Sequence, residues 1–285
     1  MKSEICNAMT VDVEDYFQVS AFESVIKFED WDQYPCHIQR NVDRILELFS
    51  LSGTRGTFFI LGWIAKRYPD VVRAVVAGGH EVASHGYAHV RVTMQSPSEF
   101  KRDVDYSKGI LEDLSGQEVK GFRAPTFSIN SENVWAVDIL AECGYRYSSS
   151  IYPIRSDLYG MPEAPRFAFQ HWDTGLLEIP ITTLPLFHKN CPCGGGGYFR
   201  LFPYLFSRWA LRRVNQREQQ PAVFYFHPWE LDCDQPRQRG IGARARFRHY
   251  TNIGRMDARL TRLLRDFHWS RIDDVFLGTG VRRDQ

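Results

Sequence analysis

The chain lacks any uninterrupted apolar run of transmembrane length, and its first residues lack the basic start, apolar centre and small-residue cleavage site of a secretory leader. The expected compartment is therefore the cytoplasm. Charge bias is missing too. A formal net charge of +1 over 285 residues gives no global reason to expect nucleic acid or a membrane as partner. The six cysteines lack the repeated C-x-x-C spacing of a structural zinc site, since Cys191-Pro192-Cys193 is C-x-C, and reduced thiols are expected. The glycine run Gly194 to Gly197 lacks the Lys-Ser/Thr ending of a phosphate loop, and reads as a flexible loop or an exposed insertion. No internal repeat and no linker divides the chain, so one elaborated domain over residues 1–285 is expected.

What is present is an ordinary apolar content of 44% and an alternation of strand-like and helix-like runs. Strand patterns fall at Ile5–Val13, Gly56–Leu61, His80–Ser84 and Val119–Arg123. Between them, helical patterns run over Asn41–Leu51, Ile64–Ala77, Ser98–Leu114 and Val134–Glu142. After about residue 150 the pattern loosens, with later strands at Leu176–Pro180 and Ala222–His227 and helices near Pro203–Gln216 and Gly254–Phe267. Such alternation points to a largely parallel sheet, open or closed into a barrel.

Polar residues cluster where these strands should emerge into loops. His85 and His89 follow the third strand at a spacing that can share one helical face and converge on a metal. Asp12, Glu14 and Asp15 end the first strand, and a carboxylate from there could complete a three-ligand site with a position left for water. Arg123 lies in Gly121-Phe122-Arg123-Ala124-Pro125 and His227 ends Val223-Phe224-Tyr225-Phe226-His227. In an α/β barrel that edge is where chemistry is assembled. The alternatives are a loop cap for the aspartates, an ion pair for Asp12 and Arg123, and a core histidine at 227.

The ordered set Thr-x-Asp…Asp, His-x-x-x-His, Arg-x-Pro and a strand-terminal histidine resembles the polysaccharide deacetylase, or NodB-homology, family over residues 5–230. The segments Thr10 to Phe17, Gly194 to Tyr204 and His227-Pro228-Trp229-Glu230 resemble more particularly a bacterial branch associated with exopolysaccharide clusters of the exosortase type. That branch carries a C-terminal extension, here residues 231–285. The resemblance implies a distorted (β/α)7 TIM-like barrel with a divalent metal, commonly zinc, at its mouth. It implies His85 and His89 as metal ligands, Asp12 as catalytic base, Arg123 as the holder of that base and His227 as general acid. The metal aspartate normally follows the base directly, but Val13 stands there; the role passes to Asp15, with Glu14 as the alternative. Thr126 replaces the usual tyrosine whose backbone N–H helps bind the oxyanion. The usual acidic, tryptophan-bearing fourth motif has no clear counterpart, with Trp172-Asp173 and Tyr147-Ser148-Ser149-Ser150 as candidates. Tyr198 and Trp229 are candidate sugar-stacking residues.

The implied activity is metal-assisted removal of N-acetyl groups from an N-acetylated polysaccharide or lipid-linked oligosaccharide. Two other readings stand beside it: a small-molecule amide-ring hydrolase resembling allantoinases and cyclic imidases, and a non-catalytic glycan-binding protein. The arginines at 237, 239, 244, 246 and 248 are either a solvated face or a contact for an anionic partner, and a peripheral membrane contact stays open.

Overall fold

The computed structural model describes residues 5–156 and 159–278. Strand β1 (Cys6–Val13) leads through two 3₁₀ turns to α1 (Ile38–Ser52) and β2 (Thr57–Ile60). Helices α2 (Gly62–Arg67) and α3 (Pro69–Ala77) precede β3 (Glu81–Ser84), followed by α4 (Pro97–Ser115), β4 (Gly121–Phe122), α5 (Trp135–Glu142) and β5 (Tyr147–Ser148). Beyond these come the short strands β6 (Phe169–Gln170) and β7 (Leu177–Glu178), then the hairpin of β8 (Thr183–Leu186) and β9 (Lys189–Pro192). Helices α6 (Gly196–Leu201) and α7 (Tyr204–Arg217) lead to β10 (Val223–Phe226), and α8 (Ala243–Tyr250), α9 (Met256–Asp266) and β11 (His268–Ser270) close the described chain.

Local chemistry explains the boundaries. Ser96 and Glu99 form a reciprocal capping box at the start of α4, with Pro97 in its first turn and left-handed Gly116 at its end. The helix expected over Ile64–Ala77 is two helices, because Pro69 offers no N–H to the preceding turn and Tyr68 leaves helical geometry at φ −130° and ψ 64°.

The sheet runs β10-β1-β2-β3-β4-β5-β7 in parallel, with β6 antiparallel at its edge and β11 parallel to the first residues of β1. It curls on itself: Thr182 N–H donates to Val223 O at 3.4 Å, Val223 N–H donates to Thr182 Oγ1 at 2.6 Å, and Gly195 bridges Tyr225. Helices cover the outside, which gives the distorted α/β barrel that the alternation and the resemblance imply. Both halves of the chain build one sheet, since β10 and β11 both pair with β1. Residues 231–278 are therefore woven into the barrel: α9 buries Met256, Leu260, Leu263 and Leu264, and β11 extends the sheet. The rest of the expected extension, residues 279–285, lies outside the described residues.

Strand parity divides the side chains. Met9, Val11 and Val13 of β1 pack with the outer core, whereas Ala8 faces an inner cluster with Phe59, Ala83, Tyr147, Val223 and Tyr225. The same phase carries Thr10, Asp12 and Glu14 inward, Ala83 and then His85, Gly121 and then Arg123, and Tyr225 and then His227. Phe127 and Tyr152 complete the inner filling by edge-on contacts to Tyr225. Truncating one of these buried aromatics would cost roughly 3–5 kcal/mol.

Candidate active site

The inward phase delivers Asp12, His85, Arg123 and His227 at the C-terminal ends of β1, β3, β4 and β10, the end of a parallel barrel where loops can supply chemistry. Arg123 is fully buried, and all three guanidinium nitrogens donate hydrogen bonds. One Nη donates to Asp12 Oδ1 at 2.5 Å and to Thr10 Oγ1 at 2.8 Å, while Nε and the other Nη donate to Ser149 O and Oγ at 3.0 and 2.9 Å. The Phe59 ring lies 4.1 Å from its guanidinium carbon. This arrangement fixes one carboxylate oxygen of Asp12 and leaves the residue lining the cavity. The serines of Tyr147-Ser148-Ser149-Ser150 thus support the arginine, and Ser150 Oγ accepts from Ala124 N–H at 2.9 Å. The other fourth-motif candidate, Trp172, is fully solvent-exposed.

His85 and His89 do meet, with ring centroids 5.3 Å apart, but through a turn instead of the expected helical face. Gly86 at φ 73° and His89 at φ 54° make that turn, and Asp103 accepts from Tyr87 N–H at 2.9 Å to hold it. His85 Nδ1–H donates to Arg123 O at 2.8 Å, which leaves Nε2 as the acceptor. Burial lowers its pKa to about 4, so the ring stays neutral near pH 7.

Glu14, and not Asp15, is the carboxylate beside them. One atom each from Glu14, His85 and His89 lies within 4.8 Å of the others, the one such group of three among the described residues. Asp15 falls on the opposite parity and is consumed structurally: its oxygens accept from Tyr16 N–H at 2.8 Å and His37 N–H at 2.5 Å. The expected assignment to Asp15 is therefore replaced. Glu14 Oε2 is buried at 2.8 Å from His89 Nε2 yet makes no hydrogen bond of acceptable geometry. An orphaned carboxylate oxygen between two imidazoles fits a divalent cation with N and O ligands. Its pKa is held below the usual carboxylate range: burial opposes this, and the surrounding His89 and His227 outweigh it.

His227 is gripped from both sides. Its Nδ1 pairs with Glu230 Oε1 at 2.9 Å and its Nε2 lies 3.4 Å from Glu14 Oε1. Burial alone would lower its pKa, but Glu14 and Glu230 raise it to about 9. Glu230 is anchored in turn by Arg200, whose Nε donates to Oε2 at 2.6 Å. The Arg200 guanidinium also donates to the carbonyls of Arg248, His249 and Thr251, which lie in or just beyond the last turn of α8. Glu230 has no assigned role in the sequence reading; its capping-box spacing from His227 is the available signal. The glycine run is not a flexible insertion. Gly194 packs against the Val223 carbonyl, and a Cβ on Gly196 would lie 2.2 Å from Glu230 Oε1. Close backbone approach requires glycine there, and it brings Arg200 to its partner.

A cavity of about 470 Å³ joins these groups. Thr126 lines it with left-handed backbone at φ 57°, and Tyr198 forms part of another wall. Trp229 has a different role from the expected sugar platform. It is buried, stacks on His249 at 4.1 Å and on His227 at 5.1 Å, and its Nε1–H donates to Glu14 Oε1 at 3.2 Å.

Residues 23–148 match the polysaccharide deacetylase family model, and residues 149–277 match a domain of unknown function (DUF3473). His85, His89, Arg123 and Thr126 lie in the first match, and His227, Glu230 and Arg200 in the second; Asp12 and Glu14 precede both. A peptidoglycan deacetylase-like protein of Gibberella zeae is 30% identical over 120 residues, 41% of this chain and 35% of that protein. A chitooligosaccharide deacetylase of Bradyrhizobium is 27% identical over 129 residues, 45% of this chain and 54% of that protein. The chain thus spans about a third to a half of the length of these two curated relatives. A crystal structure of a putative polysaccharide deacetylase from Mycobacterium smegmatis superposes with a TM-score of 0.59 at 17% identity, covering 90% of this chain and 82% of that one. The barrel is the deacetylase fold.

Proposed function

Because the chain carries a polysaccharide deacetylase family segment over residues 23–148, we propose that it is a divalent-metal hydrolase removing N-acetyl groups from a glycan. The observation that carries this reading is the convergence of Glu14, His85, His89, Asp12 and His227 on one cavity, with buried Arg123 paired to Asp12. The donor set fits zinc, held by Glu14, His85 and His89. Such an ion polarises an amide carbonyl and lowers the pKa of water.

The chain's own residues supply the proton transfers. Asp12, oriented by Arg123, accepts the proton of the attacking water. The acetamide carbon becomes tetrahedral, and the Thr126 backbone N–H is the proposed donor to its developing oxyanion. His227, paired through Nδ1 with Glu230, delivers a proton to the departing nitrogen. Water and amide give acetate and a free amine. An amine is too poor a leaving group as an anion, so a positioned acid opposite the base is what the reaction needs.

The substrate class in this reading is an N-acetylated polysaccharide or lipid-linked oligosaccharide, and the branch resemblance supports a role in exopolysaccharide biosynthesis. Tyr198 on the cavity wall is the remaining candidate for sugar stacking. The test is acetate release from chitooligosaccharides by chelator-treated protein before and after zinc is returned. Zinc-dependent acetate release that D12N abolishes supports the reading. Zinc-independent release, full turnover by D12N, or glycan binding without acetate release overturns it.

A further inference from the structure

Helices α6 and α7 carry an apolar ridge away from the cavity mouth. Tyr198 and Leu201 line the cavity, and the rings of Tyr198, Phe202, Phe206 and Trp209 follow one another at centroid distances of 6.1, 5.0 and 5.8 Å. Leu205 and Trp209, four residues apart on α7, share a face and are 64% and 45% exposed. Phe247 of α8 also lines the cavity and is 58% exposed. Exposed Leu, Trp and Phe side chains that continue outward from a cavity wall suit a contact site.

The charges carried by α7 and α8 themselves have one sign. Arg208, Arg212, Arg213 and Arg217 are the charged residues of α7, and Arg244, Arg246 and Arg248 are those of α8 apart from His249. Neither helix contains an acidic residue, although the whole chain is nearly neutral at +1. Arg208 is tied to Asp266 at 3.0 Å, and the Arg213 guanidinium lies over the Trp209 ring at 5.9 Å. Apolar residues with an aromatic at the boundary, flanked by arginines, match a bilayer interface: side chains enter the acyl boundary and guanidinium groups meet lipid phosphates. A second copy of this chain would bring two arginine-rich faces together, and like charges oppose that pairing. No helix among the described residues is long and apolar enough to cross a membrane, so the surface would lie on the bilayer.

We propose that the α6–α7 ridge and α8 form a docking surface for an anionic membrane, with the cavity mouth opening at the lipid headgroups. The docking itself is independent of the proposed deacetylation. Its consequence for substrate rests on that reading: the glycan presented to the cavity is one held at a membrane surface.

The experiment is co-flotation of the full chain with vesicles of phosphatidylglycerol mixed with phosphatidylcholine, compared with phosphatidylcholine alone. Flotation with the anionic vesicles that high salt reverses is expected. Neutralising two arginines in R212Q/R213Q should weaken partitioning by about thirtyfold. L205D/W209S should abolish it, because charge and polarity replace the inserting side chains. Both variants should keep the thermal midpoint and the acetate release from soluble chitooligosaccharides of the parent chain. Absence of flotation with anionic vesicles, equal flotation with neutral ones, or unchanged flotation of both variants overturns the proposal. So does a concentration-dependent dimer, seen by sedimentation, that L205D/W209S dissociates and that does not float. A chain that floats but releases no acetate would sustain the docking surface while removing the deacetylase reading.

Discussion

At the residue scale the site is a set of carboxylates given separate tasks by their surroundings. Asp12 is locked to Arg123, Glu14 faces two imidazoles and Asp15 accepts two backbone amides. Asp12→Asn should lower turnover roughly a hundred- to ten-thousandfold while leaving bound zinc unchanged, read by acetate assay and metal analysis on the same sample. Asp12, His85, Arg123 and His227 are legible as polar residues ending apolar strands. The choice of carboxylate is not, because the motif spacing fails at Val13 and strand parity decides between Glu14 and Asp15. With Thr10 and Asp12 facing inward, position 14 also faces inward and position 15 outward. A separate carboxylate sets a pH dependence at the other end of the barrel. Glu81 accepts from Thr57 Oγ1, Tyr147 Oη and Asp273 N–H, and burial raises its pKa from 4.5 to about 7. The folded state thus favours the protonated form. Its contribution to stability is full below the unfolded pKa and is lost as pH rises through the folded one, by up to about 3 kcal/mol. Urea unfolding at about pH 5 and about pH 8 should show that loss in the parent chain and a smaller one in Glu81→Gln.

At the element scale, the glycine-led helix α6 joins two remote parts of the chain. Gly196 lies against Glu230, and four residues later Arg200 binds that glutamate and the end of α8. Gly196→Ala should cost about 1–3 kcal/mol, because its Cβ can be accommodated only by moving Glu230. Acetate release should fall with it, while zinc binding at Glu14, His85 and His89 survives. Gly197→Ala is the control: no atom lies within 4 Å of its Cβ, and neither stability nor activity should change. Thermal unfolding and the acetate assay check both. The long helices are readable from their apolar period, and in α4 the structure adds the Ser96–Glu99 cap. The glycine run reads in sequence as a flexible loop or exposed insertion, since its packing partners Val223, Tyr225 and Glu230 lie some thirty residues onward and leave no local trace.

At the scale of the whole molecule, the C-terminal quarter completes the barrel. β11 pairs with β1, α9 buries its apolar face, and the carbonyls around the end of α8 satisfy a buried arginine that steadies His227. A chain ended after Leu231 should fail to give a cooperative thermal transition, followed by circular dichroism, because these partners are lost together. The barrel class was legible in the strand–helix alternation of the first half. The second half was less so, because two-residue strands such as β6 and β7 are too short to show a period. All of this converges on one proposed cation position, at Glu14, His85 and His89, and zinc-edge anomalous diffraction from zinc-loaded crystals tests it most directly. We expect a single strong peak contacted by Glu14, His85 and His89, retained in Asp15→Asn and lost in Glu14→Gln. A peak contacted by Asp15, or no peak among the three ligands in the parent chain, would contradict the account.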